Sequence, residues 1–178
     1  WADKFGLSTE VVVSVGLLDA HAGAVGGEIQ PKTLVKVMGT STCDMLVSPP
    51  SVVQGKLVRG IAGQVDGSII PRMIGFEAGQ SAFGDVRDWF KRLLSWPSEA
   101  VISENDMLTA NKEQVKDRII ESLTIQAEHL PYQQTQVLSL DWINGRRSPD
   151  VNPLVKGAIT NIGIGTDAPT IYKSLVES

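Results

Sequence analysis

The sequence is short of cysteine and histidine, and both shortages narrow what the chain can do. Its 178 residues include one cysteine, Cys43, so no internal disulfide can form and a reducing compartment is expected. A lone cysteine of this kind is typically a small buried apolar residue, and we favour that interpretation over a nucleophile. The two histidines, His21 and His129, lie far apart with no cysteine beside either, which excludes a zinc-binding spacing.

Long apolar runs and runs of like charge are absent too. No stretch approaches the roughly 20 apolar residues that span a bilayer, and no basic-then-apolar leader is present, so no membrane partner is expected. The formal net charge of −4 gives no reason to expect nucleic acid. A content of 42% hydrophobic and 20% charged residues is ordinary for one globular domain, or one domain with part of another. We therefore expect a small-molecule ligand.

The first candidate for chemistry is Asp19. It follows the apolar run 11–18, whose β-branched residues are typical of a strand covered on both faces. Asp19 would then stand at the carboxyl end of that strand, where open α/β sheets place their ligands. A carboxylate there could accept a proton from a substrate hydroxyl, hold a magnesium ion, or cap the helix predicted through about Gly26. Spacing alone leaves these alternatives open.

The second candidate is a turn rich in hydroxyl groups. Gly39, Thr40, Ser41 and Thr42 separate two β-type runs, 34–38 and 43–47, which predicts a hairpin with a polar tip. Backbone N–H groups and hydroxyls at such a tip suit a phosphate, although a solvated turn has the same composition. The nucleophile elbow of serine hydrolases is excluded, because Cys43 stands where its second glycine must be.

The remaining pattern predicts an α/β fold. Trp1 and Phe5 are spaced to pack on a short helix. Apolar residues at intervals of three and four predict a helix from about Gln80 to Leu94, ended by Trp96 and Pro97. A second helix is predicted over 111–130, and a third is capped by Asp167. Further strands are predicted over 57–62, 68–74, 137–143 and 157–162, with Pro71 making 68–74 an edge or irregular segment.

Three more charged residues have two interpretations each. Glu77 lies among small residues just before a predicted helix, where it could bind sugar hydroxyls or simply favour the helix N-terminus. Arg146 and Arg147 lie in a predicted turn over 144–149 and could bind phosphate. Arginines on a surface turn are equally ordinary, so these two are not assigned.

Taken together, these stretches resemble the FGGY family of carbohydrate kinases. The similarity covers almost the whole chain, in the order that the family has. The motifs over Asp19 to His21 and Gly39 to Asp44 resemble those of the family members that act on ribulose. The matching segments are 15–26, 34–46, 76–85, 141–150, and 157 through the last helix.

The resemblance implies two actin-like, ribonuclease-H-like domains with the active site in the cleft between them. It implies ATP-dependent phosphorylation of a ketopentose, most specifically L-ribulose to L-ribulose 5-phosphate, with Mg²⁺, in the cytoplasm. Asp19 matches the family's general base, Gly39 and Thr40 match its phosphate-contacting turn together with Ser41, and Glu77 falls where the sugar is contacted. No metal ligand is assigned to this chain, and a homodimer of the complete enzyme is left open.

The chain also departs from the family pattern. A complete FGGY kinase is much longer, so residues 1–28 would end its first domain and 29–178 would begin its second. The amino-terminal phosphate loop and most of the sugar pocket would then be missing, and we expect the fragment alone to be inactive. Asn161 stands where the pattern usually has glycine. The alternatives are an actin-like sugar-binding or regulatory module without catalysis, and a plain scaffold in which Asp19 only caps a helix.

Overall fold

A computed structural model of the chain describes residues 1–12, 16–100, 109–131 and 136–178, and of 109–113 it describes the backbone. Six α-helices are described: α1 Ala2–Phe5, α2 Asp19–Gly26, α3 Pro50–Val53, α4 Gly84–Ala100, α5 Thr109–Glu128 and α6 Ala168–Val176. The strands are β1 Val35–Met38, β2 Thr42–Ser48, β3 Gly63–Asp66, β4 Ile74–Ala78, β5 Leu138–Leu140 and β6 Ala158–Thr160. A 3₁₀ helix covers Trp142–Asn144. Across all the described residues, no helix is long and apolar enough to cross a membrane.

Two antiparallel sheets organise the chain. The larger has the order β1-β2-β4-β3, and its register pairs Val35 with Met45 and Met45 with Glu77. The smaller pairs β5 with β6. Residues that are paired directly across neighbouring strands point to the same face of a sheet. Val35, Met45 and Glu77 therefore share one face of the larger sheet. That face is covered by α2.

The core has two parts. One lies between α2 and the larger sheet, around Ala24, Met45 and Val47. The other joins α4, α5 and α6, where Phe90 stacks on Tyr172 with ring centroids 6.4 Å apart. Burial of these apolar side chains away from water is the main source of stability in both.

Several predicted elements are confirmed. The hairpin of β1 and β2 forms around the predicted tip, and the rings of Trp1 and Phe5 stack 5.5 Å apart on α1. Asp167 caps α6, where its carboxylate accepts a hydrogen bond of 2.9 Å from the Thr170 N–H. Asn161 has a φ of 59°, and its side-chain amide donates to the Gln136 carbonyl. Asparagine tolerates this left-handed conformation, so the turn forms without glycine.

The strand predicted over 11–18 is wrong in the residues described there. Val12 and Leu18 are 89% and 64% exposed, and no strand of the described chain lies beside them to form a ladder. Residues 13–15 lie outside the described ranges. Asp19 is therefore not at a strand end but is the first residue of α2.

The strand predicted over 57–62 is also wrong, whereas 68–74 is the irregular segment that Pro71 allowed, as far as the start of β4 at Ile74. The side chain of Gln64 accepts from the Val58 N–H and donates to the Lys56 carbonyl, both at 2.8 Å, so it occupies backbone groups that a strand would pair. Residues 67–73 form the loop between β3 and β4, closed by a 2.8 Å bond from the Gly67 N–H to the Met73 carbonyl. This loop is apolar because Ile69 enters the core from it.

The boundaries of other elements differ for local reasons. The helix predicted from Gln80 starts at Gly84, because Gln80 and Phe83 are hydrogen-bonded to the β1–β2 tip. It continues past Pro97, which lies in its last turn and cannot donate a backbone hydrogen bond to the helix there. The strand predicted over 137–143 ends at Leu140, because the chain then turns into the 3₁₀ helix.

Candidate active site

The carboxylate of Glu77 on β4 is the centre of the polar cluster on the covered face of the sheet. Its Oε1 pairs with Nη2 of Arg147 and accepts from the Cys43 thiol, with Sγ 3.7 Å away. Its Oε2 lies 3.5 Å from Nε2 of His21. The Glu77 side chain is only 23% exposed, so this carboxylate is enclosed by protein groups on several sides.

Helix α2 brings His21 to this cluster because its small residues allow close packing on β1. A Cβ at Gly23 would lie 3.2 Å from Cγ2 of Val37, and Ala24 is fully buried. His21 and Ala24 are three residues apart, so they share the face of α2 that meets the sheet. The imidazole is consequently directed at Glu77.

A packed loop brings Arg147 to the other oxygen of the Glu77 carboxylate, Oε1. Arg146 and Asn152 bond to each other in both directions through their backbones at 2.9 Å. The Arg146 guanidinium lies 4.8 Å from the centroid of the Trp142 ring, a cation–π contact. The Asp150 N–H donates to the Gly60 carbonyl at 3.0 Å, which ties the loop to the segment before β3.

Cys43 is a neutral donor in this cluster. Burial raises the pKa of the Cys43 thiol above its ordinary value of 9.0; the Arg147 charge opposes the rise and the Glu77 charge adds to it. The protonated thiol can donate to Glu77, but it is a poor nucleophile. The sequence interpretation of Cys43 as a small buried residue is thus close to what is found, with the contact to Glu77 added.

Asp19 lies apart from this cluster. It is exposed, and its carboxylate accepts a 2.7 Å bond from the adjacent Ala20 N–H. Leu18, not Asp19, occupies the N-cap position, so the alternative in which Asp19 caps the helix is wrong. Residues two apart on a helix do not face each other, so Asp19 and His21 lie on different sides of α2. The Asp19 carboxylate is therefore open to a ligand from solvent.

The tip of the β1–β2 hairpin is held by the start of α4. The carbonyls of Gly39 and Thr40 accept from the N–H groups of Gly84 and Phe83, at 3.0 and 2.8 Å. A Cβ at Gly84 would lie 2.8 Å from the Gly39 carbonyl oxygen, so only glycine permits this approach. Thr40 is exposed and Ser41 half-buried, which leaves hydroxyl groups beside a helix N-terminus. Such a position favours an anionic group.

The fit of ATP and Mg²⁺ can be judged from these groups. The turn over 39–41 offers the hydroxyl and small-residue chemistry that phosphates accept. Among the side chains that the structure describes, no group of three or more His, Cys, Asp or Glu is placed to hold a metal ion. The described residues therefore form no metal cage of their own. A Mg²⁺ ion that accompanies phosphates needs only one or two carboxylates.

A cavity of about 750 Å³ beside the sheet is bordered by Glu77 and lined mainly by apolar side chains such as Leu46, Val58 and Phe76. Asp19 and the tip residues 39–41 are not among the residues that line it. Because a sugar needs many polar partners, this lining suits it poorly.

Sequence reasoning named Glu77 as a candidate but missed the residues that surround it. His21, Cys43 and Arg147 are 56, 34 and 70 positions away from it in the chain, and no local spacing links them. Two features could have indicated these contacts: the pairing of β2 with β4, and the small residues of α2, which allow it to pack closely on β1. Among the described residues, no hydrogen bond or ion pair joins Asp19 or the 39–41 turn to the carboxylate of Glu77.

Solved structures define the class of fold. The chain resembles a xylulose kinase from Rhodospirillum rubrum, with a TM-score of 0.70 and 18% identity, over 99% of this chain and 31% of that one. It resembles a gluconate kinase from Lactobacillus acidophilus with a TM-score of 0.66 and 13% identity, over the same shares. The chain accordingly has part of the actin-like ATPase fold of these sugar kinases.

Sequence relatives are more specific. Residues 34–178 match the C-terminal domain of the FGGY family of carbohydrate kinases. The chain is 41% identical to a ribulokinase from Vibrio parahaemolyticus over 100% of its own length and 31% of that protein. It is 36% identical to a ribulokinase from Geobacillus thermodenitrificans, over 99% and 29%. The chain belongs to the FGGY family of carbohydrate kinases, and it spans about a third of the length of these relatives.

Proposed function

We propose that this chain is part of an ATP-dependent ketopentose kinase that converts L-ribulose to L-ribulose 5-phosphate. Family membership supports sugar phosphorylation, and the ribulokinase relatives support ribulose as the sugar. The observation that carries the proposal is the pair of Asp19 and Glu77. The first is an open carboxylate on α2, and the second is fixed to the same helix through His21.

Asp19 is proposed as the general base. The sugar hydroxyl oxygen attacks the γ-phosphorus of ATP, its proton passes to the Asp19 carboxylate, and the bond to ADP breaks. Phosphoryl transfer asks a protein mainly for positioning and charge neutralisation, so one well-placed carboxylate is enough for the proton. The exposure of Asp19 and its place at the start of α2 agree with this role.

The other candidate residues are proposed to position the two substrates. Gly39, Thr40 and Ser41 contact the phosphates from the hairpin tip, and Glu77 accepts hydrogen bonds from sugar hydroxyls. A Mg²⁺ ion would accompany the nucleotide and neutralise phosphate charge, and no residue of this chain is assigned to hold it. Aligning the reacting groups in this way can supply a large share of the rate.

The domain division is also a proposal. Residues 1–28 would end the first domain of the complete enzyme and 29–178 would begin the second, with the active site in the cleft between them. The complete enzyme would act in the cytoplasm, without nucleic acid or membrane as partner, and a homodimer is the oligomer to test.

Assay of the full-length protein tests the proposed function. ADP release is measured with ATP, Mg²⁺ and a panel of pentuloses and polyols, and L-ribulose is expected to give the highest kcat/KM. A higher kcat/KM for a different sugar would support the kinase activity but contradict ribulose as the substrate. A ketopentose that raises heat stability without any turnover would instead support the sugar-binding or regulatory module.

A further inference from the structure

The contact between Arg147 and Glu77 joins residues 70 positions apart, and it uses the carboxylate assigned to the sugar. The two side chains are 28% and 23% exposed, so the pair is largely withdrawn from water. A half-buried carboxylate that loses its cation is left with an uncompensated charge. His21 and Cys43 also contact Glu77, but the thiol is neutral because burial raises its pKa. Arg147 is thus the permanent cation of the cluster.

The loop that carries Arg147 is built to hold it in one place. Gly145 has a φ of 80°, and a Cβ there would lie 2.8 Å from Cα of Pro153. A Cβ at Gly60 would lie 3.2 Å from Cβ of Pro149, so the loop also packs closely on the segment before β3. The backbone bridge between Arg146 and Asn152 closes it. An arginine on this loop has little freedom to leave Glu77.

We propose that Arg147 is a positioning residue for sugar recognition. It orients the Glu77 carboxylate, together with His21, so that Oε2 can meet a hydroxyl of the ketopentose, and it acts on substrate only through Glu77. This inference rests on the proposed function, because it takes the sugar contact of Glu77 as given. It explains why a turn arginine is directed inward at a carboxylate and not at solvent.

Steady-state kinetics of the full-length enzyme test this inference, with L-ribulose and ATP each varied. Arg147→Met is expected to raise the KM for L-ribulose about tenfold or more, because a small misplacement of a binding group is costly. The KM for ATP should stay within about twofold, since the nucleotide turn lies on other elements. Arg147→Lys keeps the charge without the guanidinium fork, so an intermediate KM is expected.

A double-mutant cycle separates positioning from an independent role. Glu77→Gln should raise the KM for L-ribulose, and Arg147→Met combined with Glu77→Gln should be no worse than Glu77→Gln alone, within about twofold. Arg118→Met is the matched control, because it removes an exposed arginine of α5, which lies outside the loop that holds Arg147. Its KM for L-ribulose should stay within about twofold of the wild type.

The outcomes divide clearly. An unchanged KM in Arg147→Met, multiplicative effects in the double variant, or an equal rise in Arg118→Met would overturn the inference and leave the proposed function standing. A wild-type enzyme without activity on any ketopentose, or a Glu77→Gln variant with normal kinetics, would overturn the proposed function or its sugar contact, and the inference with it. If Arg147→Met does not fold, the cycle is run with Arg147→Lys and judged by the same criteria.

Discussion

Two carboxylates of this chain have opposite surroundings. Glu77 is enclosed by an arginine, a histidine and a thiol, whereas Asp19 is exposed with only a bond from its neighbour's N–H. An enclosed carboxylate has a fixed orientation and suits recognition. An open one can exchange protons with a substrate, which suits a general base.

Substitution of Asp19 tests that division of roles. In the full-length enzyme, Asp19→Asn should lower kcat by roughly 10²-fold or more, because the amide cannot take the proton, and should leave the KM for ATP nearly unchanged. Asp66→Asn, an exposed change at the end of β3, is the control and should have normal kinetics. A near-normal kcat in Asp19→Asn would remove that residue from the chemistry.

Cys43 should react slowly with alkylating reagents. Because burial raises its pKa above 9.0, little thiolate exists at neutral pH. Iodoacetamide labelling of the full-length protein, followed at this cysteine by peptide mass mapping, should be slower at pH 7.5 in the native than in the urea-unfolded protein. The native rate should rise as the pH passes 9. Equal native and unfolded rates at pH 7.5 would show that the thiol is not protected.

Elements were predictable where local chemistry decides them and not where tertiary contacts do. The β1–β2 hairpin follows from alternating apolar residues around a polar tip, and α6 follows from the Asp167 cap. The segment 68–74 was predicted as an edge strand or an irregular segment, and it is a loop as far as Met73, because Ile69 enters the core without any strand pairing. A buried loop residue and a buried strand residue look alike in a sequence.

The contact of α4 with the hairpin tip has a direct test. Gly84→Ala would place a Cβ 2.8 Å from the Gly39 carbonyl oxygen and so displace the turn. The KM for ATP should rise about tenfold, with a smaller change in the KM for the ketose. Gly26→Ala, where a Cβ meets nothing within 4 Å, should leave both values unchanged. An unaltered KM for ATP in Gly84→Ala would disconnect this turn from the nucleotide.

The cap of α6 should depend on pH in a defined direction. Hydrogen bonds from the side chain and backbone of Thr170 hold the pKa of Asp167 below its ordinary value of 3.8. The cap's contribution is therefore complete above pH 3.8 and is lost as the pH falls through the lowered pKa. Asp167→Ala should cost about 1 kcal/mol at pH 7, seen as about fivefold faster amide hydrogen exchange in α6.

The control for this prediction is Asp167→Asn, which keeps a capping oxygen and loses the titration. Its exchange in α6 should stay near the wild-type rate at pH 7. The gap between wild type and Asp167→Ala should narrow at pH values below 3.8 and not above them. A gap that is the same at all pH values would mean that the carboxylate charge does not support the cap.

At the scale of the whole molecule, the sequence resemblance and the fold agree on the family. The assembly of the site was less predictable. Asp19, Gly39 and Glu77 could be proposed from family motifs, but the Arg147 and His21 contacts depend on strand register and on the packing of α2. Such contacts join distant residues, and a single sequence has no local pattern for them.

We propose that this chain supplies the base and a phosphate-contacting turn of a ketopentose kinase that needs further domains. The most direct test of this proposal is the product formed from ATP, Mg²⁺ and L-ribulose by the full-length protein and by the 178-residue chain, assayed side by side by ³¹P NMR. We predict L-ribulose 5-phosphate from the full-length protein and little or none from the 178-residue chain. A full-length protein that forms no sugar phosphate from any ketopentose, or a 178-residue chain that forms it readily, would contradict this proposal.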